Sequence, residues 1–504
     1  MNTLNGFKKK KVEFLILLII ILAGLFLRIY KLNEQSYWID EGYTLNAVTA
    51  TIKNGYPILD SGEVYSRSIL NTYLISGPVM LFGFNETATR ITSVVFGILT
   101  VYLIFLISKK IFNNYVAILA SFMTSFSYWQ IAWSRQARMY SQFQFFFFLS
   151  IYLFDSLLKK FSYRKLLFLS LSTLFAILSH YFGYLLIAIY GATILWRLSE
   201  DKNLRLKIYQ EIKKRKILSF GFLVLFVPII FKISRDLFYK MLYKHNYYLV
   251  NFLDFVRSFF PVIYILAILG FILACFYYKK KQQSNKLNSS IILAISFLLP
   301  FLIIAISSDR KVYRYITFLI PILFVFCSFF IYFISERTRQ TKIVFVVLSS
   351  LVVILVMNLN IRVFNFVPES HYYLEPLTPQ ANFKQAYQAV KNDGFNDISL
   401  IISPYPVMDK IYLGKTDYCL AMNLAGGEIK EWQKTDRDYY TNATNIFDVE
   451  TLEKITKENN GYIIIDYMAI DDRLSPEMID FINKQKLIFK DDYKFNNQIW
   501  VFEF

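Results

Sequence analysis

Apolar residues fill the first 360 positions in long blocks, and short basic clusters separate them. The runs 91–108, 258–278, 287–308, 315–335 and 343–361 contain no Asp, Glu, Lys or Arg. Each is close to the ~20 residues a helix needs to cross a bilayer core. Backbone groups in lipid must be satisfied within the segment or a closed barrel, so runs of this length are helical. The pattern predicts eleven spans, near 13–32, 91–108, 115–132, 141–158, 165–180, 183–197, 217–234, 258–278, 288–307, 315–335 and 342–360.

The basic clusters then fall on every second connection: Lys8–Lys11, Lys109–Lys110, Lys159–Lys165, Arg197–Lys216, Lys279–Lys286 and Arg337–Lys342. The excess of Lys and Arg in cytoplasmic loops puts all six inside, with the N-terminus. The run 68–84 is nearly long enough to span, but counting it would put Lys109–Lys110 outside. It also holds Asn71, Thr72, Gly77 and Pro78, so it is predicted to lie in the outer interface. The outward segments are then 33–90, 133–140, 180–182, 235–256, 308–314 and everything beyond 361.

From residue 362 polar residues return. Strand-like runs at 398–403, 461–466 and 499–504 alternate with helix-like stretches at 448–458 and 476–486, which predicts a small α/β domain. The expected architecture is an α-helical polytopic membrane domain over 1–361 and an extracytoplasmic α/β domain over 362–504.

Composition agrees. Hydrophobic residues make up 55% of the chain and charged residues 18%, less charge than a soluble domain carries. The net charge of +18 sits in short loops, the signature of membrane orientation rather than of nucleic-acid binding. Cys275, Cys327 and Cys419 form no CxxC and no Cys/His ligand spacing, so neither a disulfide framework nor a zinc site is indicated. The basic-then-apolar N-terminus lacks a small-residue cleavage site and is predicted to stay as the first span.

The outer end of that span leads into SYWIDEGYTL, with Asp40 and Glu41 adjacent. Neighbouring helical positions diverge by about 100°, so one carboxylate faces a shared site and the other supports it. A solvated helix start is the bland reading, because carboxylates favour helix N-termini. Arg135 and Arg138 in WSRQARMY are three apart, and Arg310 and Arg314 in SSDRKVYRY are four apart. On helices each pair would share a face. Arg67 and Arg90 flank the interfacial run. Guanidiniums suit phosphate oxygens, although lipid headgroups attract them too. Several outward cations beside one carboxylate pair fit an anionic lipid-phosphate ligand. Tyr140 and His180 are candidate substrate contacts, with a structural role the bland reading for a lone His. A divalent cation at Asp40 and Glu41 would need a third ligand that the pattern does not supply, and no cofactor is indicated.

The DE pair after the first span, the SRQARMY loop, the HYFGY turn and the RYITFLIPIL segment together resemble the polyprenyl-phosphate-dependent glycosyltransferases. These have the glycosyltransferase-C fold, within the protein O-mannosyltransferase and aminoarabinose-transferase superfamily. The resemblance runs over most of 1–360 and keeps the order of the motifs. The C-terminal region is similar, more loosely, to the periplasmic domain of the aminoarabinose transferases. It implies inverting transfer from a polyprenyl-phosphate sugar to an acceptor hydroxyl at the outer face, with Asp40 as general base. Aligned on LFG at 81–83, Arg67 stands where the aminoarabinose branch has a phosphate-contacting Lys. Ser66 replaces that branch's preceding Glu, and RQARMY lacks a further acid of the branch. These departures count against aminoarabinose as the donor. The rival readings are an oligosaccharide polymerase or ligase with a pyrophosphate-linked donor, and a lipid-linked transporter. Ion-coupled transporters usually carry charges within their spans.

Overall fold

The computed structural model of the protein describes residues 2–201, 205–206, 210, 213, 248–307, 312–338, 340–358, 381–421, 435–491 and 498–504. The helical part runs α1 (Asn2–Ile29), α2 (Ile39–Asn54), α3 (Ile69–Phe82), α4 (Glu86–Ile111), α5 (Asn114–Phe126), α6 (Tyr128–Ser134), α7 (Tyr140–Lys159), α8 (Tyr163–Ser179) and α9 (Leu185–Glu200). It continues with α10 (Leu249–Phe259), α11 (Ile263–Lys280), α12 (Ser284–Ser307), α13 (Ile320–Glu336) and α14 (Thr341–Asn358). Seven helical segments among the described residues are long and apolar enough to cross a membrane, and the chain is an integral membrane protein. The expected span at 217–234 lies outside the described residues.

The expected span at 115–132 is not one helix. It stops at Phe126, Ser127 is extended with ψ 125°, and α6 restarts beyond it. All seven residues of α6 are buried. Gln130 donates to the Thr317 carbonyl at 3.0 Å, and Trp129 packs edge-on against Phe255 with centroids 4.7 Å apart. Hydropathy cannot separate a helix buried in protein from one in lipid, and α6 is the former. The run at 68–84 forms α3, with Pro78 inside it. Met80, Leu81 and Phe82 at its end are 71–78% exposed. Below, Asp155 of α7 binds Lys110 of α4 at 2.7 Å and Lys159 at 2.9 Å. It also accepts from Ser289 of α12 at 2.6 Å, pinning three helices at one end.

The C-terminal part runs α15 (Phe383–Asn392), β1 (Leu400–Ser403), α16 (Pro406–Leu413), β2 (Tyr418–Leu420), β3 (Thr444–Ile446), α17 (Val449–Glu458), β4 (Gly461–Asp466), α18 (Tyr467–Asp472), α19 (Pro476–Ile482), β5 (Lys486–Lys490) and β6 (Ile499–Glu503). The strands make one sheet in the order β3-β2-β1-β4-β6-β5. β1 to β4 are mutually parallel, and β6 and β5 close the edge antiparallel. All six residues of β4 are buried, as befits a parallel strand covered on both faces. The helix expected over 476–486 ends at Ile482, because Lys486 already starts β5.

The C-terminal part rests on α2 through α16 and the loop at Tyr440. A Cβ on Gly42 would lie 2.7 Å from Met408 Sδ and 3.2 Å from Val407 Cγ2, so α2 and α16 touch where α2 has no side chain. Asn46 donates to the Tyr440 carbonyl at 2.8 Å and accepts from Lys410 at 2.8 Å. Tyr412 Oη accepts from the Tyr37 amide at 2.9 Å.

Candidate active site

Asp40 and Glu41 lie in the first turn of α2, where carboxylates complement the positive end of the helix. The structure turns the two apart. Glu41 is 1% exposed and takes two hydrogen bonds from Arg90, Nε to Oε1 at 2.9 Å and Nη2 to Oε2 at 2.8 Å. It also accepts from the Ala137 amide at 2.7 Å and reaches back to the Trp38 amide at 3.3 Å. Arg90 adds bonds to the carbonyls of Leu32, Gln35 and Ser36. Glu41 is therefore the anchor of the segment between α1 and α2, and every oxygen it has is committed.

Asp40 points the other way, and its side chain keeps 27% of its surface exposed. Its Oδ2 lies 3.4 Å from Arg138 Nη2 and 3.3 Å from Arg314 Nη2. Both distances exceed the ~2.7–2.9 Å of a tight charge-assisted bond. Arg138 is held instead through Nη1, which donates to the Asp40 carbonyl at 2.7 Å and to Thr44 Oγ1 at 2.6 Å. Burial works against the Arg138 charge, but Asp40, Tyr65 and Tyr140 outweigh it, and the guanidinium stays more firmly protonated than usual. Both guanidiniums lie over the Trp38 ring, Arg138 at 5.9 Å and Arg314 at 5.3 Å from its centroid. That indole face favours cations. Two cations from distant loops thus meet one carboxylate on a shared aromatic floor.

The helical face expected for Arg135 and Arg138 does not exist. α6 ends at Ser134, residues 135–139 form an irregular turn before α7, and the two side chains part. Arg135 is 1% exposed and donates to the carbonyls of Leu27, Arg28, Tyr30 and Lys31. Leu27 and Arg28 supply orphan acceptors at the end of α1, and Tyr30 and Lys31 follow it directly, so Arg135 caps that helix rather than facing Asp40. Arg314 lies in a 3₁₀ turn, Tyr313–Tyr315, and Arg310 lies outside the described residues. Arg67 is exposed in the turn before α3, where its charge and that of Asp40 both act on Tyr440. No hydrogen bond or ion pair among the described residues joins Arg67 to Asp40.

His180 is 2% exposed, and its Nδ1 accepts from the Phe182 amide at 3.1 Å. Its ring sits among Tyr140, Phe143 and Tyr181 at 4.5–5.7 Å. The histidine shapes the α8–α9 turn. Tyr140, in ring contact with it, is near enough to Arg138 and Arg314 for their charges to act on it. Among the described residues no group of three His, Cys, Asp or Glu is placed to hold a metal. Thr44, which fixes Arg138, carries no sequence signal beyond its place one turn after Asp40.

A family model described as dolichyl-phosphate-mannose-protein mannosyltransferase matches residues 66–231. No curated protein matches the chain in sequence. Among solved structures, ArnT from Cupriavidus metallidurans in the apo state is similar at 11% identity, with a TM-score of 0.61 over 96% of this chain and 97% of that one. The same protein bound to undecaprenyl phosphate gives 10% identity and a TM-score of 0.62 over the same shares. The Archaeoglobus fulgidus oligosaccharyltransferase in complex with Zn and sulfate is similar at 11% identity, with a TM-score of 0.59 over 90% of this chain and 68% of that one. The chain has the glycosyltransferase-C fold and resembles the polyprenyl-phosphate-dependent glycosyltransferases built on it.

Proposed function

We propose that the chain is a membrane glycosyltransferase that moves a sugar from a polyprenyl-phosphate donor to an acceptor hydroxyl at the outer face. The observation that carries this reading is Asp40, half-open to solvent and paired loosely with Arg138 and Arg314. A phosphate entering beside them offers the Nη2 groups of both guanidiniums a closer partner than Asp40 Oδ2 at 3.3–3.4 Å. Asp40 is then released to accept the proton of the acceptor hydroxyl. The hydroxyl oxygen attacks the anomeric carbon from the face opposite the phosphate, and the bond to the phosphate oxygen breaks. The electron pair leaves on the polyprenyl phosphate, where Arg138 and Arg314 meet the charge. Attack from the opposite face inverts the anomeric centre. Arg67 and Arg310 are kept as further candidates for binding the donor phosphate. The C-terminal part, resting on α2, lies on the same, outer side.

The likeness to an oligosaccharyltransferase supports a second reading, an oligosaccharide ligase. The two are separated by giving the purified, nanodisc-embedded protein undecaprenyl-phosphate-linked labelled monosaccharides together with membrane extract as acceptor. Transfer of a single label with release of undecaprenyl phosphate supports the proposal. Transfer only from a pyrophosphate-linked oligosaccharide supports the ligase.

A further inference from the structure

A crevice of about 520 Å³, including its open mouth, lies between α2 and the C-terminal sheet. Its walls include Pro404–Val407, which follow β1, and Leu420 and Ala421 at the end of β2. Both are carboxyl ends of parallel strands. β1 pairs with β2 on one side and with β4 on the other. Ligands of open α/β sheets bind outside the carboxyl ends of the strands, and this crevice lies at the carboxyl ends of β1 and β2.

The chemistry of the walls narrows the ligand. Tyr43, Tyr405, Tyr439 and Tyr440 line the crevice together with Asp438 and Asn445. Tyr43 and Tyr440 lie ring against ring at 4.1 Å. Tyrosines offer flat apolar faces with a hydroxyl at the edge. Asp438 uses Oδ2 to hold the amides of Tyr440 and Thr441 and the Thr441 hydroxyl, which fixes its carboxylate in the wall. Such a carboxylate disfavours an anion. Arg473, stacked 4.7 Å from the Tyr405 ring centroid, disfavours a cation. A neutral ring with apolar C–H faces and a rim of hydroxyls satisfies aromatic walls and planar polar groups together.

Position links the crevice to the reaction. Tyr43 follows Asp40 by three residues on α2, about 4.5 Å along the helix axis. The charge of Asp40 acts on both Tyr43 and Tyr440. We infer that the crevice at the carboxyl ends of β1 and β2 is a saccharide subsite that holds the acceptor, so that the acceptor hydroxyl reaching Asp40 belongs to a glycan. This rests on the glycosyltransferase reading and adds the class of acceptor to it.

The test is saturation-transfer NMR on the full-length protein in nanodiscs, with maltose, cellobiose and N,N′-diacetylchitobiose as probes. Undecaprenyl phosphate binding is measured on the same samples. At least one disaccharide should receive saturation from the wild-type protein. Tyr439→Ala should weaken its binding by about two- to tenfold, as expected for loss of an aromatic contact. Asn445→Ala should also weaken it, and undecaprenyl phosphate binding should be unchanged in both. Three results overturn the inference: no disaccharide binds a protein that does bind undecaprenyl phosphate, both variants bind disaccharide as the wild type does, or a Ser/Thr peptide occupies the crevice in place of the sugars. Disaccharide binding without undecaprenyl phosphate binding would keep the subsite and remove the donor reading instead.

Discussion

Arg90 and Glu41 form a two-point ion pair sealed from solvent, each side chain only 1% exposed, and this pair fixes the helix that presents Asp40. Breaking a buried pair from one side leaves an uncompensated charge and costs about 3–5 kcal/mol. Glu41→Gln is therefore expected to lower thermal stability and yield of folded protein. Asp40→Asn, at a partly exposed position, should leave the melting temperature within a few degrees of wild type. Fluorescence-detected chromatography over a temperature series checks both. Equal melting temperatures for Glu41→Gln and the wild type would remove the anchoring role.

The three buried or half-buried arginines separate in the same way. Arg135→Ala strips four carbonyls at the end of α1 of their donor and should give a poorly folded protein. Arg314→Ala should fold normally and bind undecaprenyl phosphate about 10- to 150-fold more weakly, the equivalent of one charged contact worth about 1.5–3 kcal/mol. Arg138→Ala should show both defects, because its Nη1 also holds Thr44. Unaltered undecaprenyl phosphate binding in Arg314→Ala would place the phosphate elsewhere.

Much of this arrangement was legible in the sequence, and the losses have specific causes. Charge-free runs located the long helices, and the strand-like runs at 398–403, 461–466 and 499–504 coincide with β1, β4 and β6. β2 and β3 have three residues each, too short for an alternation to register. The divergence of Asp40 and Glu41 followed from the helical 100° step. The split between Arg135 and Arg138 did not, because it depends on α6 ending at Ser134, and no Gly or Pro marks that end. The meeting of Arg314 with Asp40 bridges 274 positions, and the seat of Met408 on Gly42 bridges 366. Such tertiary pairings leave no local trace.

The seat between α2 and α16 is itself testable. Gly42→Val places branched carbon where Met408 and Val407 already lie. Met408 is flexible, so Gly42→Ala should be tolerated, with a cost near the ~1–3 kcal/mol range of overpacking for the Val variant. Limited proteolysis should release the C-terminal sheet faster in Gly42→Val than in wild type. Identical cleavage rates would mean that the helices do not depend on this contact.

A buried carboxyl on the far side of α16 gives the C-terminal sheet a pH dependence. Burial pushes Asp409 up to about 7, against the pull of hydroxyl donors from Tyr387, Ser403 and Thr416. The folded chain keeps a proton that the unfolded chain has lost, so stability should fall as pH rises from about 4 to about 7 and level off above that. Asp409→Asn should flatten this slope, read from melting temperatures across the window. A slope that survives the substitution would assign it to another group.

Orientation can be read in intact cells, in a background with Cys275, Cys327 and Cys419 replaced. Cysteines at Asp60 and Arg437, both exposed, should react with an impermeant thiol reagent, and one at Lys280 should not. The opposite pattern would invert the protein and put Asp40 on the cytoplasmic side.

Asp40 is assigned the removal of the acceptor proton, and one substitution tests that role. Asp40→Asn keeps the size and hydrogen-bonding reach of the side chain while removing its basicity. Single-turnover transfer from a labelled undecaprenyl-phosphate sugar should fall by about 10²–10⁴-fold, with folding and undecaprenyl phosphate binding retained. Near-normal turnover by a folded, donor-binding Asp40→Asn protein would rule out Asp40 as the base.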